Sequence, residues 1–156
     1  MTELKVRRAT AADAAEVHAL MTALAAYEDL TPYLAATPAS LASAVTADPP
    51  RAAFLLAQID GRAVGFVSWT RVYGIWRGED YLNLDDLFVA EAARGAGVGE
   101  ALMRAFAAEA ATEGLGARWE VRSDNQGARR FYARLGAGQE EKVVVRWSAD
   151  AMRSAF

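Results

Sequence analysis

The stretch Leu87–Phe106, LFVAEAARGAGVGEALMRAF, constrains this chain more than any other. An apolar, strand-like run gives way to Arg94-Gly95-Ala96-Gly97-Val98-Gly99, and a strong helix-forming segment follows at once. Inside a helix, glycine is less favourable than alanine by about 1 kcal/mol. Three alternating glycines at a helix start therefore call for a local reason. The first turn of a helix leaves about four backbone N–H groups unpaired and carries roughly half a positive charge. Glycines keep side chains away from those amides, and Arg94 adds a guanidinium at the same place. The pattern suits an anion such as a pyrophosphate. A P-loop is excluded because Glu100 stands where its second glycine belongs. The dinucleotide fingerprint fails too, with Glu100 or Leu102 at its third glycine.

The 156 residues, 53% of them hydrophobic, suffice for one domain with a substantial core. A single domain over residues 1–156 is expected. A net charge of -3 without blocks of like charge gives no support to nucleic-acid or membrane-surface binding. No apolar run approaches the roughly 18 residues of a membrane span, and no signal-like apolar region follows the N-terminal residues. A cytoplasmic protein is expected. The absence of cysteine removes thiolate nucleophiles and cysteine-based zinc sites. With His18 the sole histidine, in an ordinary helical pattern, no metal site is expected. Chemistry must rest on carboxylates, tyrosine, backbone amides or a bound co-substrate.

Glu3–Ala9 alternates as a first strand. Thr10 is placed to cap a helix over residues 11–30, and a second short helix ends at Pro49-Pro50. AAFLLAQI, Asp60-Gly61 and AVGFVSW give a hairpin signal. The strand YLNLDDLFV, the glycine segment and an alanine-rich helix follow. ARWEVR reads as a strand, QGARRFYARL as a helix and EKVVVRW as a last strand. The order predicts a mixed α/β fold, a sheet with antiparallel middle strands and helices on both faces.

Residues 94–99 resemble the Arg/Gln-x-x-Gly-x-Gly/Ala motif of the GNAT N-acetyltransferases. SDNQGARRFYARLGA resembles that family's later Asn-x-x-Ala-x-x-Phe-Tyr segment, through Asn125, Ala128, Phe131, Tyr132 and Gly136. The combined match spans residues 52–138. The resemblance implies a GNAT-like fold with splayed middle strands, and acetyl-CoA as co-substrate. It implies that Arg94, Gly95, Ala96, Gly97, Val98 and Gly99 hold the pyrophosphate. It also implies that Leu87, Phe88 and Val89 form the edge that positions the thioester, a backbone N–H there stabilising the oxyanion. Asn125 would contact the cofactor arm, cap its helix, or both. Tyr132 would protonate the departing thiolate, for which a reference pKa near 10 keeps it in the acid form.

The acceptor is expected to be a primary amine of a small molecule, deprotonated in the site because roughly one such amine in a thousand is neutral at pH 7. AYEDL, SWTRVYGIWRGEDYLNLDDLFV and RWEVRSDNQGARRFYARLGA resemble the diamine acetyltransferase branch of the family. That narrower resemblance implies amine contacts from Tyr27, Glu28 and Asp85, with Trp76 and Glu140 nearby, and a homodimer. It makes a polyamine or lysine-like amine the expected acceptor. Aminoglycosides, amino acids and protein amines are alternatives, as is a non-catalytic acyl-CoA-binding module. A regular strand would turn Asp85 and Asp86 to opposite faces, and whether either binds substrate stays open. A water relay through Glu28, Asp85 or Glu120 is a further possibility for the deprotonation.

Overall fold

A computed structural model describes residues 3–156. They form two compact units, one running to Trp119 and the other from Glu120 to Phe156.

The first unit is built on a five-stranded sheet in the order β1-β2-β3-β4-β5. Strands β1 (Leu4–Arg8), β2 (Ala53–Ile59), β3 (Arg62–Gly74) and β4 (Glu79–Val89) pair antiparallel in succession. β5 (Ala117–Arg118) joins β4 in parallel. Asp60 and Gly61 close the β2–β3 hairpin with φ of 49° and 79°, the positive values that a tight two-residue turn demands.

Both faces of the sheet are covered, as the sequence order implies. α1 (Ala14–Tyr27) and α2 (Pro38–Thr46) bury Val17, Leu20 and Leu41 against Phe54, Leu56, Phe66 and Phe88. The three phenylalanines form a row across β2, β3 and β4, with neighbouring ring centroids 6.1 and 6.2 Å apart. On the opposite face α3 (Val98–Glu113) buries Val98, Leu102 and Phe106, and Phe106 meets Trp69 edge-on at 5.3 Å.

Local signals explain most of the boundaries. Thr37 accepts the Ser40 N–H and Pro38 opens α2. The helix expected from Thr10 begins as a 3-10 turn, Ala11–Asp13, and becomes α-helical at Ala14. The Asp13 carboxylate accepts the Thr10 N–H and is held by Arg7 at 2.7 Å, which keeps its pKa well below the usual carboxylate range. α1 ends at Glu28, where Asp29 takes φ of 56° and the Leu30 N–H returns to the Ala25 carbonyl.

The second unit contains α4 (Gln126–Arg134) and α5 (Ala149–Arg153). Among its described residues no strand is formed, so the expected last strand, Glu141–Trp147, is not found there. Three consecutive valines supply strand propensity, and propensity alone does not make a ladder.

Candidate active site

The glycine turn is set by backbone sign rather than by crowding. Gly95 and Gly97 have φ of 78° and 77°. No atom lies within 4 Å of where a Cβ would sit on either one. Gly97 is the N-cap of α3, and no side chain caps the helix. The mouth of the first turn is therefore open to an anion. Val98 is 1% exposed and packs into the core, so it offers a ligand only its backbone.

Arg94 is placed differently from a simple anion clamp. Its Nε donates to the Val89 carbonyl at 3.1 Å, and its guanidinium lies 4.5 Å from the centroid of the Tyr27 ring. It thus ties the end of β4 to the end of α1.

β4 pairs with β5 over Leu82↔Ala117 and Asn83↔Arg118. From Leu84 to Val89 its ladder, among the described strands, is with β3 alone. The edge assigned to Leu87, Phe88 and Val89 lies beyond the two β4 residues that pair with β5, with Phe88 buried against Phe66. Gly65 lies directly behind this edge, and a Cβ on it would stand 2.7 Å from the Phe88 carbonyl oxygen.

A bulge lies just before the edge. Trp69 pairs with Leu84 and Ser68 with Asp86, leaving Asp85 as the extra residue. The two aspartates therefore do not occupy successive ladder positions as a regular strand would place them. Asp86 shares the α1 face with Phe66 and Phe88, is half-buried, and accumulates negative neighbours. Burial first, then the charges of Asp85 and Glu28, push its carboxyl up to about 6. Asp85 is more exposed. Burial raises its pKa while the Asn83 amide, donating at 2.9 Å, opposes that rise.

Tyr27 is 67% exposed, and Glu28 is the C-cap of the same helix. Tyr27, Glu28, Asp85 and Arg94 thus belong to one neighbourhood of the first unit. Trp76 is not brought to it. It is fully exposed at the tip of the β3–β4 hairpin, and about 20 Å of extended strand separates Glu79 from Asp85. Asp86 is the residue that sequence reasoning left undecided, and its signal was an aspartate pair inside an apolar run.

In the second unit, the Asn125 side chain accepts the Ala128 N–H at 3.1 Å, realising the N-cap. Tyr132 is half-buried beside Phe131, and burial pushes its hydroxyl above the usual tyrosine value. Glu140 is exposed and forms an ion pair with Lys142 at 2.7 Å.

The mixed sheet with helices on both faces places the chain in the α/β class. The profile of the acetyltransferase (GNAT) family matches residues 17–137, and the chain belongs to that family. It is an acetyl-CoA-dependent N-acetyltransferase. An integron cassette protein from the mobile metagenome of V. cholerae shares its fold with a TM-score of 0.77 and 23% identity, over 97% of this chain and 96% of that one. An aminoglycoside acetyltransferase from an uncultured soil metagenomic sample superposes with a TM-score of 0.79 and 17% identity, covering 94% and 95%. The aminoglycoside N-acetyltransferase AAC(6')-Iy in complex with CoA gives 0.76 and 17%, covering 96% and 97%. At these identities the likeness shows the fold alone. No curated protein is significantly similar in sequence. Among the described residues, no helix is long and apolar enough to cross a membrane.

Proposed function

We propose that this enzyme acetylates a primary amine of a small molecule bearing at least one further positive charge, with Asp86 accepting the proton of the reacting ammonium. One observation carries the reading. A half-buried carboxylate with a pKa near 6 lies on β4, three residues before Val89, with Asp85 and Glu28 close enough to act on it. A carboxylate in that state is mostly ionised at pH 7 yet basic enough to take a proton.

In this mechanism the turn from Gly95 to Gly99 and Arg94 hold the pyrophosphate, and a β4 backbone N–H stabilises the oxyanion. Asp86 removes one proton from the ammonium, and the freed nitrogen attacks the thioester carbonyl. The C–S bond breaks, the thiolate takes a proton from a donor, the attacking nitrogen gives up its second proton to restore that donor, and the products are the acetamide and CoA. Tyr132 is the proposed donor of that proton, and Asn125 a contact of the cofactor arm. Both assignments rest on the family motif. Glu28, Asp85 and the Tyr27 ring bind a second ammonium, and Glu140 is a weaker candidate contact.

The acidic neighbours favour di- and polyamines. Aminoglycosides, the substrates named for several proteins of the same fold, are polycations that suit the same carboxylates and form the second reading. The proposal takes residues 1–156 as one acetyltransferase domain, acting in the cytoplasm as a homodimer. A panel of diamines, polyamines, lysine analogues and aminoglycosides, assayed for CoA release, tests the acceptor. Preference for monoamines across the panel would overturn the multiply charged class. Direct attack requires intersecting initial-rate patterns. A ping-pong pattern with an isolable acetyl-protein would replace it with a covalent route.

A further inference from the structure

Ser68 is 5% exposed and is the buried polar side chain of the core among the described residues. A hydroxyl in that setting is costly unless it is hydrogen-bonded. Its Oγ accepts the backbone N–H of Asp86 at 3.2 Å, across the point where the β3–β4 register shifts. A bulge interrupts the backbone ladder locally, and here a side chain supplies the acceptor.

The position matters because the bulge has two nearly equivalent seatings. Val67↔Leu87 on one side and Trp69↔Leu84 on the other fix the flanks, leaving Ser68 to face two consecutive residues. Either Asp86 is seated opposite Ser68 with Asp85 extra, or the reverse. Hydrophobic patterning normally chooses a register, since a one-residue slip moves side chains to the wrong face. It has no preference between two aspartates.

We propose that Ser68 is a positioning residue for the acceptor side. Its hydroxyl takes the Asp86 amide and so decides which of two identical, adjacent side chains is seated in the sheet. The seated aspartate shares its face with Phe66 and Phe88 and is close to Glu28. The extra one is left to Asn83 and solvent. This inference rests on the reading of Asp86 as the proton acceptor, and it assigns the origin of that state to a residue on the neighbouring strand.

The test compares Ser68→Thr with Ser68→Val, which have the same shape and differ in the hydroxyl. Carboxyl carbon NMR titration of Asp86 reads the side chain without reference to activity. The threonine variant is expected to keep the midpoint near 6, whereas valine lets it fall toward the ordinary aspartate range. The acidic limb of kcat/KM should move with it in the valine variant. There kcat should drop about tenfold while the KM for acetyl-CoA holds. An unmoved midpoint and limb in Ser68→Val overturn the proposal. Should the valine variant fail to fold, amide exchange in the unsubstituted protein decides. Asp86 exchanging at least tenfold more slowly than Asp85 supports the hydroxyl bond, and equal rates refute it. Activity retained by Asp86→Asn would remove the proton-acceptor reading, while the titration and exchange measurements would still decide the role of Ser68.

Discussion

The guanidinium of Arg94 lies over the ring of Tyr27, 4.5 Å from its centroid, while its Nε holds the Val89 carbonyl at 3.1 Å. One side chain therefore joins the glycine turn, the last residue of β4 and the last residue of α1. The glycine turn proposed for the donor and the helix proposed for the acceptor share a physical link.

Removing that link should affect both substrates. Arg94→Ala is expected to weaken CoA binding about tenfold by calorimetry, from loss of one charge-assisted contact to phosphate. It should also raise the KM of the amine. A double-mutant cycle with Tyr27→Leu should give a coupling of about 0.5–1 kcal/mol in folding stability. Zero coupling would mean that the stacked arrangement contributes nothing in solution.

Asp86 gives a pH prediction of definite sign. The kcat/KM profile should rise with pH through an acidic limb near 6. Asp86→Asn should lower turnover by about 10²–10⁴-fold, the usual contribution of a general base. Stability moves the other way. The folded-state pKa lies above the unfolded value, so the native state binds more protons between about pH 4 and 6. The ionised carboxylate therefore costs stability above pH 6, and the cost vanishes below pH 4. Discounted for partial exposure, Asp86→Asn should stabilise the protein at pH 7 by on the order of 1 kcal/mol. The gain should be absent at pH 4. Chemical denaturation at the two pH values checks this.

Gly65 tests the geometry of the thioester edge. Its backbone angles suit any residue, but an added Cβ would stand 2.7 Å from the Phe88 carbonyl oxygen, which is backbone and cannot swing aside. Gly65→Ala should destabilise by about 1–3 kcal/mol, the range for overpacking. In the protein that remains folded, the KM for acetyl-CoA should rise. A variant with unchanged melting temperature and kinetics would show that β3 and β4 have room to part.

Tyr132→Phe separates proton donation from packing. The ring and its contact with Phe131 are retained, so the melting temperature should change little. Turnover should fall at least tenfold, with CoA affinity held. Thioesters with more acidic leaving groups should recover much of the loss. Full activity in the phenylalanine variant would end the acid assignment.

Features that depend on neighbouring residues were legible in the sequence. Asp60-Gly61 announced its hairpin because few residues accept two positive φ values in succession. The alternating glycines announced a helix start because they oppose helix propensity everywhere else. The bulge at Asp85 was not legible, since a period-2 reading of β4 sends the two aspartates to opposite faces. At that point the Asp86 amide is held by Ser68, eighteen positions earlier. The contact of Arg94 with Tyr27 was not legible either, because it joins elements far apart in sequence. Trp76 failed for a related reason. Motif proximity ignored the length of β4, which carries the hairpin tip away from the carboxylates. The valine run after Glu141 has strand composition, and composition does not name a partner.

The fully exposed Trp76 has a practical side. The chain contains no cysteine, so Trp76→Cys would introduce a single thiol at the exposed tip of the β3–β4 hairpin. A fluorophore or a surface tether attached there would stand clear of the bulge and the glycine turn. It would report tumbling, self-association or immobilised turnover with the chemistry undisturbed.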